Sequence, residues 1–449
     1  MNARTAAKMK HWVRNGGIVL LVVLIVAAAW FAYPLLEGEA PVCALDPDFQ
    51  VMGQHKAFRV LASDRKSGLR SITVALTQGE KRHVLKTAEF PGKGVRSQTL
   101  SVDIAAKDLG LKNGEALLEI AAEDHSLRKN RCTVTRTLQV DLVPPRIQVL
   151  SEGLYLNPGG TGLVIYRVDK ENARSSLRVD DRVYPDYPLQ LSGQTVRICY
   201  FAVPLEVGKN GLPISVDAAD DAGNTSVRSV ASRVRSKTFR KDTMAVTDRF
   251  LEMKMPEFQE KYDNLRGWGL LEVFQNVNEA MREENLETIR SLCSRSAPER
   301  MWEGEFLRMK NASTMARFGD RRTYFHDGKP VGESVHNGID LASTAHAPVE
   351  ASNHGMVIYA DGLGIYGNTV IIDHGQGIFS FYSHLGVMDV EAGGKVRKGD
   401  IIGRTDTTGL AGGDHLHFGI FAGRDFVNPQ EWWDPHWIRD NVTRHFTGT

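Results

Sequence analysis

Three short stretches in the last third of the chain carry residue types that can hold a metal and move protons. They are His336-Asn337-Gly338-Ile339-Asp340, Tyr382-Ser383-His384-Leu385 and His415-Leu416-His417. Zinc prefers tetrahedral nitrogen and oxygen donors, and a catalytic site leaves one position for water, so three protein ligands suffice. Histidines beyond those three can then transfer protons. Residues two apart in a strand project to one side, so His415 and His417 share a pocket if Leu416 faces a core. His336 and Asp340, four apart, are likewise expected on one side of a strand, and Asn337-Gly338 argues against the helical alternative. A lone H-x-H or H-x-x-x-D is weak evidence; three such elements in order are specific. Neither an H-E-x-x-H helix nor a G-x-S-x-G elbow accompanies them, so the main other hydrolase motifs find no support.

Together the three elements resemble those of the lysostaphin/LytM-type zinc endopeptidases, over residues 325–435. That resemblance implies a zinc ion held by His336, Asp340 and His417. It implies a general base in His415, the first histidine of H-x-H, and a group that polarises the carbonyl or stabilises the oxyanion in His384. Members of the family often add a tyrosine shortly before the first histidine. The nearest here is Tyr324, twelve positions upstream by the numbering and too far to assign from sequence. Some members lack ligands and act instead as activators of cell-wall amidases; the full set of positions here counts against that. The remaining histidines of the region, His346, His354 and His374, read as surface or turn residues, with His374 in Asp373-His374-Gly375 a structural one.

The elements around these motifs are β-like. Gly367-Asn368-Thr369-Val370-Ile371-Ile372-Asp373-His374-Gly375 reads as a strand entering a turn. Gly393 to Gly403 resembles the turn and strand of barrel–sandwich hybrids such as lipoyl carriers, but no lysine sits at a hairpin tip between hydrophobic strands. Gly409-Leu410-Ala411-Gly412-Gly413-Asp414 makes a flexible entry to His415.

A chain of 449 residues, with 42% hydrophobic and 24% charged residues, should hold about three domains. Its net charge of +1 gives no basic field for nucleic acid, and none is expected as a partner. The expected fold class is multidomain and mainly β: an N-terminal transmembrane helix, two Ig-like β-sandwiches, a helical connector and a C-terminal β-rich, barrel-sandwich-type peptidase domain. Residues 1–14 hold Arg4, Lys8, Lys10 and Arg14 ahead of an uncharged run from Asn15 to Leu36. About 20 apolar residues suffice to span a bilayer, so 15–36 is expected to anchor the chain in the inner membrane with 1–14 in the cytoplasm. The run exceeds the ~7–15 residues of a signal-peptide core. Everything beyond is then expected in the periplasm.

Residues 41–143 and 146–235 each read as short alternating strands broken by turn residues, with Val143-Pro144-Pro145 between them. They share a late signature. Ala121-Ala122-Glu123-Asp124 precedes Asn130 in the first, and Ala218-Ala219-Asp220 precedes Asn224 in the second. A period of about 100 residues suggests tandem sandwiches, which resemble bacterial immunoglobulin-like spacers able to contact envelope proteins. Cys43 and Cys132 bracket the first region and can pair in an oxidising compartment; Cys199 and Cys293 lie far apart. Residues 240–317 carry helical spacing with charged faces and read as a connector packed on the next domain, with a cover over the active site as the sharper alternative. Residues 436–449 form a tail. The expected function is cleavage of peptidoglycan stem-peptide cross-links; an amidase activator and an envelope scaffold or adhesion protein are the other readings.

Overall fold

The structure is a computed structural model and describes residues 3–446 except 93, 152, 209 and 210. The chain divides into two compact units, Met1–Pro145 with Ala219–Thr225 and Arg146–Ala218 with Ser226–Thr449. Strands dominate both.

The first unit begins with a helix, Ala3–Ala32, and a 3-10 turn, Tyr33–Leu36. The span expected over 15–36 is not supported. Among the described residues no helix is long and apolar enough to cross a membrane. The basic side chains of Arg4, Lys8, Lys10 and Arg14 lie outside the described residues.

A sandwich follows. One sheet holds Val42–Asp46, His55–Ser63 and Ser97–Ala105; the other holds Val51–Met52, Arg131–Val140, Gly114–Asp124, Leu69–Gln78 and Lys81–Glu89. Alternation decides which face is inside. Phe58, Val60, Ala62, Leu100, Val102 and Ile104 from one sheet meet Ile72, Val74, Leu76, Leu118 and Ile120 from the other in a single core. Burying each such large side chain contributes about 1.5–3 kcal/mol. Cys43 and Cys132 form a disulfide between the two sheets.

The second unit opens with another sandwich. Tyr187–Leu191, Gln194–Ala202, Thr161–Val168 and Ile147–Val149 form one sheet; Arg182–Tyr184, Arg174–Val179, Ile214–Ala219 and Thr225–Ser229 form the other. The strand Gln194–Ala202 does not show the in/out alternation of a half-exposed strand. Cys199 and Phe201 point into the core between the two sheets, where they join Val164 and Tyr166. Val196, Ile198, Tyr200 and Ala202 point the other way, into the core of the C-terminal domain. Both faces are therefore buried.

The C-terminal domain is a sheet of ten strands. Its main path runs Ser313–Ala316, Ile339–Ala342, Leu416–Ala422, Ile378–Met388, Asn368–Asp373, Gly355–Gly362 and Lys395–Val396. A smaller sheet places Lys241–Ala245 parallel to Arg321–His326, which forms a hairpin with Lys329–Val335. The segment read as a helical connector therefore starts and ends in strands, Lys241–Ala245 and Ser313–Ala316. Between them lie helices Asp248–Lys261, Leu270–Asn276 and Arg282–Leu292. Thr247 Oγ1 caps the first by accepting from Phe250 N at 3.2 Å. Leu251, Met255 and Phe258, spaced four and three apart, are buried in the core of the domain. The segment read as a tail carries a further helix, Pro435–Asn441, with Ile438 buried; residues 447–449 lie outside the described residues.

Candidate metal centre and active site

Three adjacent strands bring the histidine motifs together. Asp340 of Ile339–Ala342 pairs directly with His417 of Leu416–Ala422, and His417 pairs with Ser383 of Ile378–Met388. His384 is thereby set one residue from the register of Asp340 and His417. Leu416 is buried on the opposite face, as the shared-pocket reading of His415 and His417 requires. His336 and Asp340 do not lie on one strand: His336 follows Lys329–Val335, and Asp340 sits in the next strand after a turn. Gly338 explains the difference. A Cβ there would stand 2.6 Å from both the His417 ring and the Phe418 carbonyl, so only glycine lets the turn press against the neighbouring strand.

His336 Nε2, Asp340 Oδ1 and His417 Nδ1 converge with separations of 2.9, 2.9 and 3.0 Å. His336 Nδ1 lies 3.0 Å from the Arg317 carbonyl, which can only accept, so that nitrogen carries the proton. In the neutral ring Nε2 then turns a lone pair toward a carboxylate oxygen. That contact is repulsive unless the ring is protonated or a cation lies among the three atoms. The donor set, two imidazoles and a carboxylate, with a carbonyl behind the His336 ring, fits zinc with an open coordination position. The second oxygen of Asp340, Oδ2, accepts from Arg322 Nη2 at 3.1 Å.

Burial by itself would raise the Asp340 pKa. The charge of His336 and hydrogen bonds from His336, His415 and His417 together overcome it and hold the carboxyl well below the usual range. Burial pushes His417 down to about 4, against the pull of Asp340. These directions describe a site that keeps its carboxylate charged and its ligand imidazole neutral, which is what metal binding demands.

His384 and His415 stand beside this centre with ring centroids 4.8 Å apart. His384 Nδ1 donates to the Thr408 carbonyl at 2.8 Å and His415 Nδ1 to that of Gly413 at 2.8 Å, which leaves Nε2 of each ring for the site. His384 holds a backbone φ of +61°, an unusual value for a non-glycine residue. The five residues line one cleft of about 500 Å³. His374 lies outside it. It is fully buried, between the His354 carbonyl and Ser380 Oγ, each at 2.7 Å; it is structural, and not at the surface. His346 is an exposed residue near Asp406 and Asp414.

Two residues that sequence reasoning left out also line the cleft: Arg322 and Tyr324. The distance along the chain from Tyr324 to His336 is closed by the hairpin, where Arg321 pairs with Val335 and Tyr324 with Gly332. The signal was present in the strand itself, since Arg322 and Tyr324 are two apart and share a face. Phe250, Phe274 and Arg282 of the helical segment line the same cleft.

Residues 334–429 match the model of peptidase family M23. The chain is 39% identical over 95 residues to the DD-carboxypeptidase/endopeptidase Mpg of Neisseria meningitidis, covering 21% of this chain and 22% of that protein. It is 30% identical over 146 residues to the murein hydrolase activator EnvC of Escherichia coli, covering 32% and 33%. The chain thus spans about a fifth of the length of the first curated relatives it matches. Among solved structures it is similar to the catalytic domain of lysostaphin from Staphylococcus simulans, with 26% identity, 27% of this chain and 92% of that one covered, and a TM-score of 0.23.

Proposed function

From a chain that carries a peptidase family M23 domain, we propose a zinc-dependent endopeptidase that hydrolyses peptide cross-links of bacterial peptidoglycan. The observation that carries this reading is the convergence of His336, Asp340 and His417 with two further imidazoles in one cleft.

His336 Nε2, Asp340 Oδ1 and His417 Nδ1 would hold the ion. When bound, zinc supplies Lewis acidity and lowers the pKa of a coordinated water toward neutrality. His415, oriented by its contact to Gly413, takes the proton of the attacking water and returns it to the leaving amine. His384 turns Nε2 toward the substrate oxygen and donates to it only as the imidazolium, a form that burial and the neighbouring His415 and His417 disfavour, so the Tyr324 hydroxyl on the same cleft is the readier donor for developing negative charge. Arg322 Nη2 donates to Asp340 Oδ2 at 3.1 Å and so leaves Oδ1 for the ion.

Stem peptides are the substrate class because relatives of this domain are named for DD-endopeptidase activity on the wall. The substrate lies outside the cytoplasm, and the Cys43–Cys132 disulfide suits an oxidising compartment there. Digestion of purified sacculi, followed by mass analysis of the products, tests the proposal. Parent protein with zinc should convert cross-linked stem pairs into uncross-linked stems that stay on the glycan, and chelator or His417→Ala should abolish the conversion. Equal digestion by His417→Ala sinks it. The likeness to a hydrolase activator favours one second reading, in which the chain stimulates an amidase and cuts nothing itself. Sacculi then lose peptides only when an amidase is added, whatever residue stands at 417.

A further inference from the structure

Far along the sequence from the histidines, the first unit buries three carboxylates against one another. Glu37, Asp64 and Asp124 are 7%, 5% and 0% exposed, and one oxygen of each lies within 4.8 Å of the others. Their recorded hydrogen-bond partners are all neutral. Asp64 Oδ1 accepts from the amides of Lys66 at 3.0 Å and Gly68 at 2.7 Å. Asp124 Oδ1 accepts from Ser126 N at 3.1 Å and Oγ at 2.7 Å, and its Oδ2 from Asn130 Nδ2 at 2.8 Å. Glu37 Oε1 accepts from Ser67 N at 2.9 Å. Among the described residues no lysine, arginine or histidine pairs with any of the three; Lys66, the nearest in sequence, turns its Nζ to Glu39 at 2.8 Å.

Two buried oxygens in this place have no hydrogen-bond partner: Glu37 Oε2 and Ser67 Oγ. Ser67 is itself 4% exposed, and it belongs to the loop whose amides hold both Asp64 and Glu37. Buried charge is found paired or bound to metal, because an isolated carboxylate in the interior costs several kcal/mol. Here three buried carboxylates lie together, an oxygen of one of them and the hydroxyl of the adjoining Ser67 lack partners, and among the described residues no cation pairs with the three. The donors are all oxygen, with neither sulfur nor imidazole, which selects a hard cation.

We propose that Glu37, Asp64 and Asp124 form a calcium site in the first sandwich. Calcium accepts six to eight oxygens in flexible geometry, so three carboxylates, the Ser67 hydroxyl and solvent suit it better than they suit the small, strictly octahedral magnesium ion. The shared sequence signature supplies an internal contrast. Asp220 and Asn224 repeat the Asp124–Asn130 contact, Nδ2 to Oδ2 at 3.0 Å, yet among the described residues no group of three ligands includes Asp220. The Asp–Asn contact is thus the common staple, and Glu37 and Asp64 are the additions that make a site. Glu37 follows directly on the turn Tyr33–Leu36, and Asn130 Nδ2 also reaches the carbonyls of Glu37 and Glu39 at 3.2 and 3.0 Å. A cation there fastens the segment after the N-terminal helix to the loops of the sandwich.

Calcium binding by the full, zinc-saturated chain, followed by equilibrium dialysis and by thermal unfolding, tests this. The parent should take up one calcium ion, and millimolar calcium should raise the first sandwich's unfolding midpoint by about 5–10 °C over chelator. Glu37→Gln and Asp124→Asn should lose that ion and that response. In chelator Glu37→Gln should melt no lower than the parent, because it removes carboxylate repulsion and its side-chain oxygen can keep the Ser67 amide; this guards against a variant that merely misfolds. The proposal is overturned if the parent binds no calcium, if magnesium shifts the midpoint equally, or if Glu37→Gln retains the response.

Discussion

At Gly338 the missing side chain matters as much as the imidazoles around it. His336, just past the end of one strand, and Asp340, on the next, meet because the turn between them lies against His417. Gly338→Ala should therefore push the His417 ring away and cost at least about tenfold in zinc affinity, in the range seen when ligand positioning is disturbed. Zinc content after dialysis, with an unchanged far-ultraviolet spectrum, checks it. The roles of the five motif residues came from a family resemblance; spacing alone put His415 and His417 on one side, which the structure shows, and put His336 and Asp340 on one strand, which it does not. That Arg322 and Tyr324 share a face could be read from their spacing, but not that they join the site, since nothing in a linear reading says that a hairpin closes the gap to His336. The membrane span was over-read. Length and hydropathy of 15–36 suggested it, whereas among the described residues no helix is long and apolar enough to cross a membrane.

Among the elements, the helix Asp248–Lys261 does more than join two domains. Its Lys254 is 2% exposed and donates to the Thr407 carbonyl at 2.6 Å. The next residue, Thr408, accepts the proton of His384 Nδ1 and so fixes that ring. Lys254 is thus a positioning residue that acts on His384 through the loop. Lys254→Met should lower kcat roughly three- to tenfold, the scale of one hydrogen bond at about 0.5–1.5 kcal/mol, with KM and zinc content unchanged. A uniform loss of folded protein would instead lower all readouts together. The alternation of apolar residues in the strands of the first sandwich was readable because one face of each is wet. Gln194–Ala202 gave no comparable contrast; its apolar run is buried twice, once on each face.

For the molecule as a whole, the second sandwich and the C-terminal domain are joined by more than chain. Trp432 Nε1 donates to Thr161 Oγ1 at 2.9 Å, and the Tyr200 and Trp432 rings lie 6.0 Å apart. Beside them Glu431, 7% exposed, accepts from Asn157 Nδ2 at 2.9 Å and the Thr161 amide at 2.7 Å. Burial, only partly offset by those donors and by Lys237, pushes its pKa up to about 7 from 4.5. The folded state then holds a proton that the unfolded state has released between those two pH values. Stability from this group is full below about pH 4.5, falls as pH rises toward about 7, and is level above it; the span is of order 3 kcal/mol. Urea midpoints at pH 5 and pH 8 should show this loss in the parent and a smaller one in Glu431→Gln. An identical slope in both would remove Glu431 as its source.

The strand buried on both faces also bears on how such a protein can change over generations. Residues 146–235 look like an interchangeable bead on a string, and the border near 240 looks like a natural crossover point for recombination. Yet Val196, Ile198, Tyr200 and Ala202 belong to the interior of the C-terminal domain. A crossover at that border would hand the incoming segment a partner whose contours it never met, so the two stretches must be inherited together.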